Sequence, residues 1–208
     1  MNKIRLLPLV AASLLSLGMA AQTSFPGAES IRYEAPEGTV HAHQVRSATS
    51  FYDPGEGVAY LDSVEYYTAD YVEAEDGSVY LSNPFVFFPT DTWLKLDRAE
   101  GDTLVARLPQ AMFEGDDGTV FYARRMVLSD RGDGELDCLP DEAETDVRFT
   151  LRGDTLALVD GGLDEQGMPR YILGLATATG GWSCYGEGLT TIYGISSVVN
   201  ATEVNAYH

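Results

Sequence analysis

The sequence predicts an all-β fold: an antiparallel meander of about eight to ten strands forming a single barrel or sandwich, with very little helix outside a short N-terminal leader. Three observations carry this. Apolar and polar residues alternate in segment after segment, as they do in a sheet with one buried face. Turn-forming pairs such as Asp76-Gly77, Asp117-Gly118 and Gly153-Asp154 punctuate those segments at short intervals. Beyond the leader no stretch sustains the helical period, so crossover helices and a parallel sheet are not expected.

Residues 1–21 read as a signal peptide: Lys3 and Arg5 form a basic start, Leu6 to Leu17 an apolar run, and Gly18-Met19-Ala20 a small-residue cleavage region. The run is too short and wrongly flanked for a membrane span, no other stretch is long enough, and no lipid-bearing cysteine follows. The chain is therefore expected to be exported to the periplasm, the cell surface or the extracellular space, beginning at Ala21 or Gln22. Residues 22–38, with Pro26, Gly27, Pro36 and Gly38, read as an irregular segment that wraps or trails, and residues 39–208 as a single domain. The 208 residues carry 13 Lys and Arg against 32 Asp and Glu, a formal charge of −19 that becomes −21 once Lys3 and Arg5 leave with the leader. Such a charge argues against nucleic acid and anionic membrane surfaces as partners. Spread over many turns, the acid reads as solubility.

Taken in order, Thr39 to Phe51 reads as the first strand, Tyr52 to Gly57 as a turn, and Val58 to Tyr67 as the second strand. Asp76-Gly77 launches the central stretch, Ser78 to Leu108. There Val79 and Leu81 alternate with Tyr80 and Ser82, Pro84 and Pro89 bracket Phe85 to Phe88, and Asp97 to Asp102 turn between two alternating runs. Asp116-Asp117-Gly118 turns into Thr119 to Leu128, and Asp130 to Glu144 reads as a loop rich in acid and glycine. Val147, Phe149 and Leu151 alternate with polar residues up to the turn at Gly153-Asp154, and Leu156 and Leu158 continue beyond it. Gly-Asp-Thr-Leu occurs at Gly101 and again at Gly153, as shared turn chemistry. Tyr171 to Thr177 and Trp182 to Ile195 close the core.

The pleat sorts side chains around Trp93. Leu94 and Leu96 share one face, matched across the turn by Leu104, Ala106 and Leu108. Trp93 and Lys95 then share the other face with Thr103, Val105 and Arg107. On that face the indole is either covered by a neighbouring loop or by the chain's irregular ends, or it is a platform for a ligand. Trp182 and Tyr185 extend the same surface if the last strands pair nearby. Trp93, Lys95, Arg107, Trp182 and Tyr185 are the candidate ligand-binding residues.

Other motifs point away from chemistry. His41 and His43 share a strand face, but two ligands make no metal site, and they read as solvated residues of an edge strand. Asp133, Glu135, Asp137 and Glu144 fall on a calcium-loop frame that fails where Cys138 replaces the turn glycine and Pro140 interrupts. Arg131-Gly132-Asp133 and Arg152-Gly153-Asp154 spell an adhesion tripeptide, the second explained by its turn. Cys138 and Cys184 are expected to be unlinked, since nothing brings an acidic loop and a late strand together. No nucleophile elbow, zinc-protease motif, phosphate loop or dinucleotide fingerprint occurs, so no catalytic residue, metal or cofactor is expected.

The run VYLSNPFVFFPTDTWLKL, followed by FTLRGDTLALVDGG, ILGLA and GGWSCYGEGLTTIYGI, resembles a family of uncharacterised secreted domains from Bacteroidota. The likeness spans most of Thr39 to Ile195 and is best at Trp93, Lys95, Trp182, Tyr185 and Gly186. It implies an all-β module and transfers no reaction. Together these features lead to the expectation of a secreted or cell-surface binding module for carbohydrate or protein. The alternatives are a calycin-like barrel around a small apolar ligand and a glycan-acting hydrolase with paired carboxylates.

Overall fold

In a computed structural model the chain is described at residues 25, 28, 30–53, 58–85, 91–130, 136–159, 170–180, 185–187 and 192–193, with side chains outside 42–53, 58–68, 128–130, 136–138, 185–187 and 192–193. The expected leader, Trp182, Cys184 and Asp133 lie outside the described residues, as do the side chains of His43, Cys138 and Tyr185. The described residues form thirteen strands and no helix: β1 (Gly38–Asp53), β2 (Val58–Ala74), β3 (Val79–Ser82), β4 (Trp93–Arg98), β5 (Thr103–Ala106), β6 (Gln110–Glu114), β7 (Val120–Asp130), β8 (Leu136–Pro140), β9 (Val147–Arg152), β10 (Thr155–Leu158), β11 (Ile172–Thr177), β12 (Tyr185–Glu187) and β13 (Ile192–Tyr193).

Every pairing among them is antiparallel. Strands β1 to β5 follow one another, β5 then pairs with β9, β9 with β10, and β10 with β13. Because β13 also pairs with β1, the ladder curls back toward its start as a barrel-like sheet. The long β1–β2 hairpin feeds a second branch: β12 pairs with β1 at Thr49 to Phe51, β11 with β12, and β7 with β11, β6 and β8. The fold is thus the expected all-β antiparallel class, and its non-local steps are β5 to β9, β10 to β13, β1 to β12 and β13, and β7 to β11.

The core lies where the two branches face each other. Leu94, Leu96, Leu104, Ala106 and Leu108 are all buried, as the pleat requires, and they join Phe85, Phe149, Leu156, Leu173 and Leu175 in one cluster. In β9 buried and open positions alternate without exception, so Val147, Phe149 and Leu151 face inward. The two Gly-Asp-Thr-Leu turns lie side by side, because β5 pairs with β9 over Thr103 to Ala106. Gly101 and Gly153 adopt φ of 64° and 62°, with open space where a Cβ would stand, so glycine is there for its backbone conformation.

The structure corrects the reading of Asp130 to Glu144 as a loop. Leu136 to Pro140 is a strand, with Cys138 opposite Leu128 of β7. Its acidic composition disguised a segment whose ladder hydrogen bonds come from β7, and pairing overrides propensity there. Strand β6 was also not anticipated. It is short, and a register shift between Ala111 and Phe113 places Met112 in the core while Phe113 stacks on Phe121 at 4.4 Å.

Residues 30–37 are irregular and run beside the sheet. The Trp93 N–H donates to the Arg32 carbonyl at 3.0 Å, and the Arg32 guanidinium lies 4.8 Å from the centre of the buried Tyr80 ring. Further along, Phe25 meets Tyr122 edge-on at 5.0 Å, and the buried Arg124 lies 4.8 Å from the Phe25 ring. Cation–π and edge contacts of this kind hold an irregular segment where no ladder does.

Candidate functional site

Strand β4 parts from β5 along its first half, since the two pair only at Asp97 and Arg98. The backbone groups left over need partners. Gln110 supplies them at Lys95: its Oε1 accepts the Lys95 N–H at 2.8 Å, and its Nε2 donates to the Lys95 carbonyl at 2.8 Å. Ser82 plays a similar part where β3 leaves β2, accepting the Asp70 N–H at 2.8 Å and donating to the Asp70 carbonyl at 3.0 Å. Trp93 and Lys95 are therefore held at fixed positions on the face opposite Leu94 and Leu96, and both are half-buried.

The cations predicted on that face converge on one acid. Lys95 Nζ stands 3.4 Å from one Asp97 oxygen, and Arg107 Nε 3.1 Å from the other. Arg107 also reaches Asp146 at 3.8 Å. Asp146 lines a cleft of about 560 Å³ whose other walls are Arg125, Glu144, Arg148, Val159 and Tyr171, together with Thr145. A chain of ion pairs thus runs from Lys95, which shares its face of β4 with Trp93, through Asp97 and Arg107 to Asp146 in this cleft. Tyr185 sits on the other branch, in β12 opposite Phe51, whereas the ladder neighbours of β4 are β3 and β5.

Arg125 is the residue that sequence reasoning missed. It shares a face of β7 with Ala123 and Val127, the face turned toward the core, and its guanidinium stacks 4.2 Å from the centre of the Tyr171 ring. Two carboxylates compensate the charge, Asp141 at 2.9 Å and Glu144 at 2.8 Å. Asp141 is itself fixed, because one of its oxygens accepts the N–H groups of Ala143 and Glu144, both at 3.0 Å. The Tyr171 hydroxyl donates to the Val159 carbonyl and closes the inner wall. Paired arginines flanked by apolar residues, Arg124-Arg125 between Ala123 and Met126, are the signal that marks this place in the sequence.

A second cluster caps the opposite end of the curled sheet. Glu73 binds Arg98 with one oxygen and His41 Nε2, at 3.1 Å, with the other. The His41 ring stacks on Tyr71 at 4.6 Å with an interplanar angle of 12°. His41 thus stacks on Tyr71 and lies beside Glu73 with its side chain half-buried, which corrects its reading as a solvated edge residue. Burial pushes the Tyr71 phenol up to about 12, with the Glu73 and Asp154 carboxylates adding to the rise. A raised pKa means that the folded state keeps this proton after the unfolded chain has lost it, at an ordinary value of about 10. The stability linked to this proton is present below pH 10 and is lost as the pH rises toward 12. Urea midpoints measured across that window should fall more steeply for the native chain than for Tyr71→Phe, and parallel curves would refute the assignment.

Among the described residues no group of three or more His, Cys, Asp and Glu side chains is placed to hold a metal ion. No helix among them is long and apolar enough to cross a membrane. Comparison with protein-family models, with curated proteins and with solved structures gives no match for the chain.

Proposed function

We propose that the chain is a secreted or cell-surface binding module whose ligand, a carbohydrate or a protein, lies along the surface from Trp93 to the Arg125 cleft. The observation that carries this reading is the placement of Trp93 on the same face of β4 as Lys95 and Asp97, which Arg107 joins by ion pair, on a strand whose backbone is held by Gln110 and Arg32. An aromatic face gives an apolar platform, and the flanking charges give directed donors and acceptors. A surface site is favoured over an internal apolar cavity because the core face is filled by Phe85, Leu94, Leu96, Leu104 and Phe149.

The test is Trp93→Ala, examined first by thermal melting and then in glycan-array and protein-binding screens. Trp93 is half-buried, so truncation should cost well below the about 3–5 kcal/mol of a fully buried aromatic, while binding to the ligand found with the native chain is lost. A collapse of the melt, or binding that survives the substitution, would remove Trp93 from the site.

A further inference from the structure

We propose that the cleft between β9 and the segment 141–146 is a carboxylate-binding site for an acidic sugar. Two guanidinium groups face this one cavity, and they are differently engaged. Arg148 has no carboxylate partner among the described residues, although Lys95, Arg98, Arg107, Arg124, Arg125 and Arg152 each have at least one. In a chain with 32 acids and 13 bases, an arginine that lines a cleft and meets no acid among the described residues points to an anion from outside.

Arg125 has two acids of unequal standing. The Asp141 side chain is 13% exposed and tied by two backbone N–H groups, whereas that of Glu144 is 70% exposed and, among the described residues, is held through Arg125 alone. Asp141 is therefore the permanent counter-ion, and Glu144 is an exchangeable one occupying a place that a ligand carboxylate can take. The local charge permits this. Lys95, Arg107, Arg125 and Arg148 are matched against Asp97, Asp141, Glu144 and Asp146, so the patch is formally neutral within a chain of charge −19.

The remaining lining selects the class of ligand. A carboxylate alone would need only the guanidinium forks, which bind it bidentately. The cleft also presents the Asp146 carboxylate and the Thr145 hydroxyl, which accept hydrogen bonds from hydroxyl groups, and the apolar Val159. A uronic acid carries a carboxylate and several hydroxyls on one ring, and the cavity of about 560 Å³ lies within the range of small-ligand sites. This inference rests on the carbohydrate form of the binding-module reading.

The experiment is an NMR-detected titration of the full chain with D-glucuronate at low ionic strength, with D-glucose and glutarate run in parallel. Glucuronate should bind about tenfold or more tightly than either comparator, a difference of about 1.4 kcal/mol. Arg148→Ala, at an exposed position, should keep the native melt and weaken glucuronate about tenfold. Glu144→Gln should tighten it several-fold, because the competing carboxylate is gone. Failure of glucuronate to bind, or binding indifferent to Arg148→Ala, overturns the proposal, and glutarate binding as well as glucuronate overturns the sugar assignment. A glycan whose binding is lost in Trp93→Ala but unchanged in Arg148→Ala would overturn the cleft proposal while leaving the broader reading standing.

Discussion

Phe149→Ala is expected to destabilise the domain by about 3–5 kcal/mol, the range for truncating a fully buried aromatic. Phe149 is completely buried and stands in β9 directly opposite Leu104 of β5 on one side and Leu158 of β10 on the other. It therefore fills the seam that joins the two Gly-Asp-Thr-Leu hairpins, where its removal leaves a cavity between Leu104 and Leu158. The neighbouring Arg148 points the other way, so Arg148→Ala should change stability by no more than about 0.5 kcal/mol. Equilibrium urea unfolding of the two variants measures the contrast. A Phe149→Ala loss below about 1 kcal/mol would mean that this face of β9 is not the core side.

That contrast was legible in the sequence, because strict alternation along Val147 to Arg152 assigns each residue to a face once one face is known to be buried. The same logic located Leu94, Leu96, Leu104 and Ala106. It said nothing about which hairpin lies next to which. Pairing of β5 with β9 joins segments more than forty residues apart, and local periodicity carries no information about such partners. Strands β6 and β8 were missed for a related reason. Each is five residues long, one contains a register shift and the other sits in an acid-rich stretch and ends in proline, so the ladder with β7 defines them rather than their own composition.

The candidate site was half legible. Trp93, Lys95 and Arg107 follow from the pleat, but the pleat does not show that Asp97 gathers both cations, since salt-bridge geometry depends on the twist between β4 and β5. Strand β7 hid Arg125. Its two faces, Tyr122 with Arg124 and Met126, and Ala123 with Arg125 and Val127, each mix apolar residues with an arginine, so neither reads as the core face. Both faces are in fact covered: Phe25 lies on Tyr122, and the core cluster includes Ala123. A strand covered on both sides is where alternation stops being informative.

Arg125→Met is expected to cost about 3 kcal/mol, the lower end of what breaking a buried ion pair costs. The side chains of Arg125 and Asp141 are 17% and 13% exposed, so removing the cation leaves Asp141 charged and largely cut off from water. Two backbone N–H donors remain on Asp141, from Ala143 and Glu144, which is why the loss falls at the lower end. Adding Asp141→Asn should recover more than half of it, because Asn keeps an oxygen for those donors and carries no charge. Glu144→Gln, at the exposed partner, should cost less than about 1 kcal/mol, as surface pairs do. Urea unfolding of Arg125→Met, of Asp141→Asn and of the Arg125→Met/Asp141→Asn pair tests the scheme as a double-mutant cycle. If Arg125→Met costs under about 1 kcal/mol, or the pair is as unstable as Arg125→Met alone, the guanidinium is not the buried anchor of the cleft. Should the cycle close as expected, Asp141 is the fixed counter-ion and Glu144 the replaceable one, the asymmetry on which recognition of an external carboxylate depends.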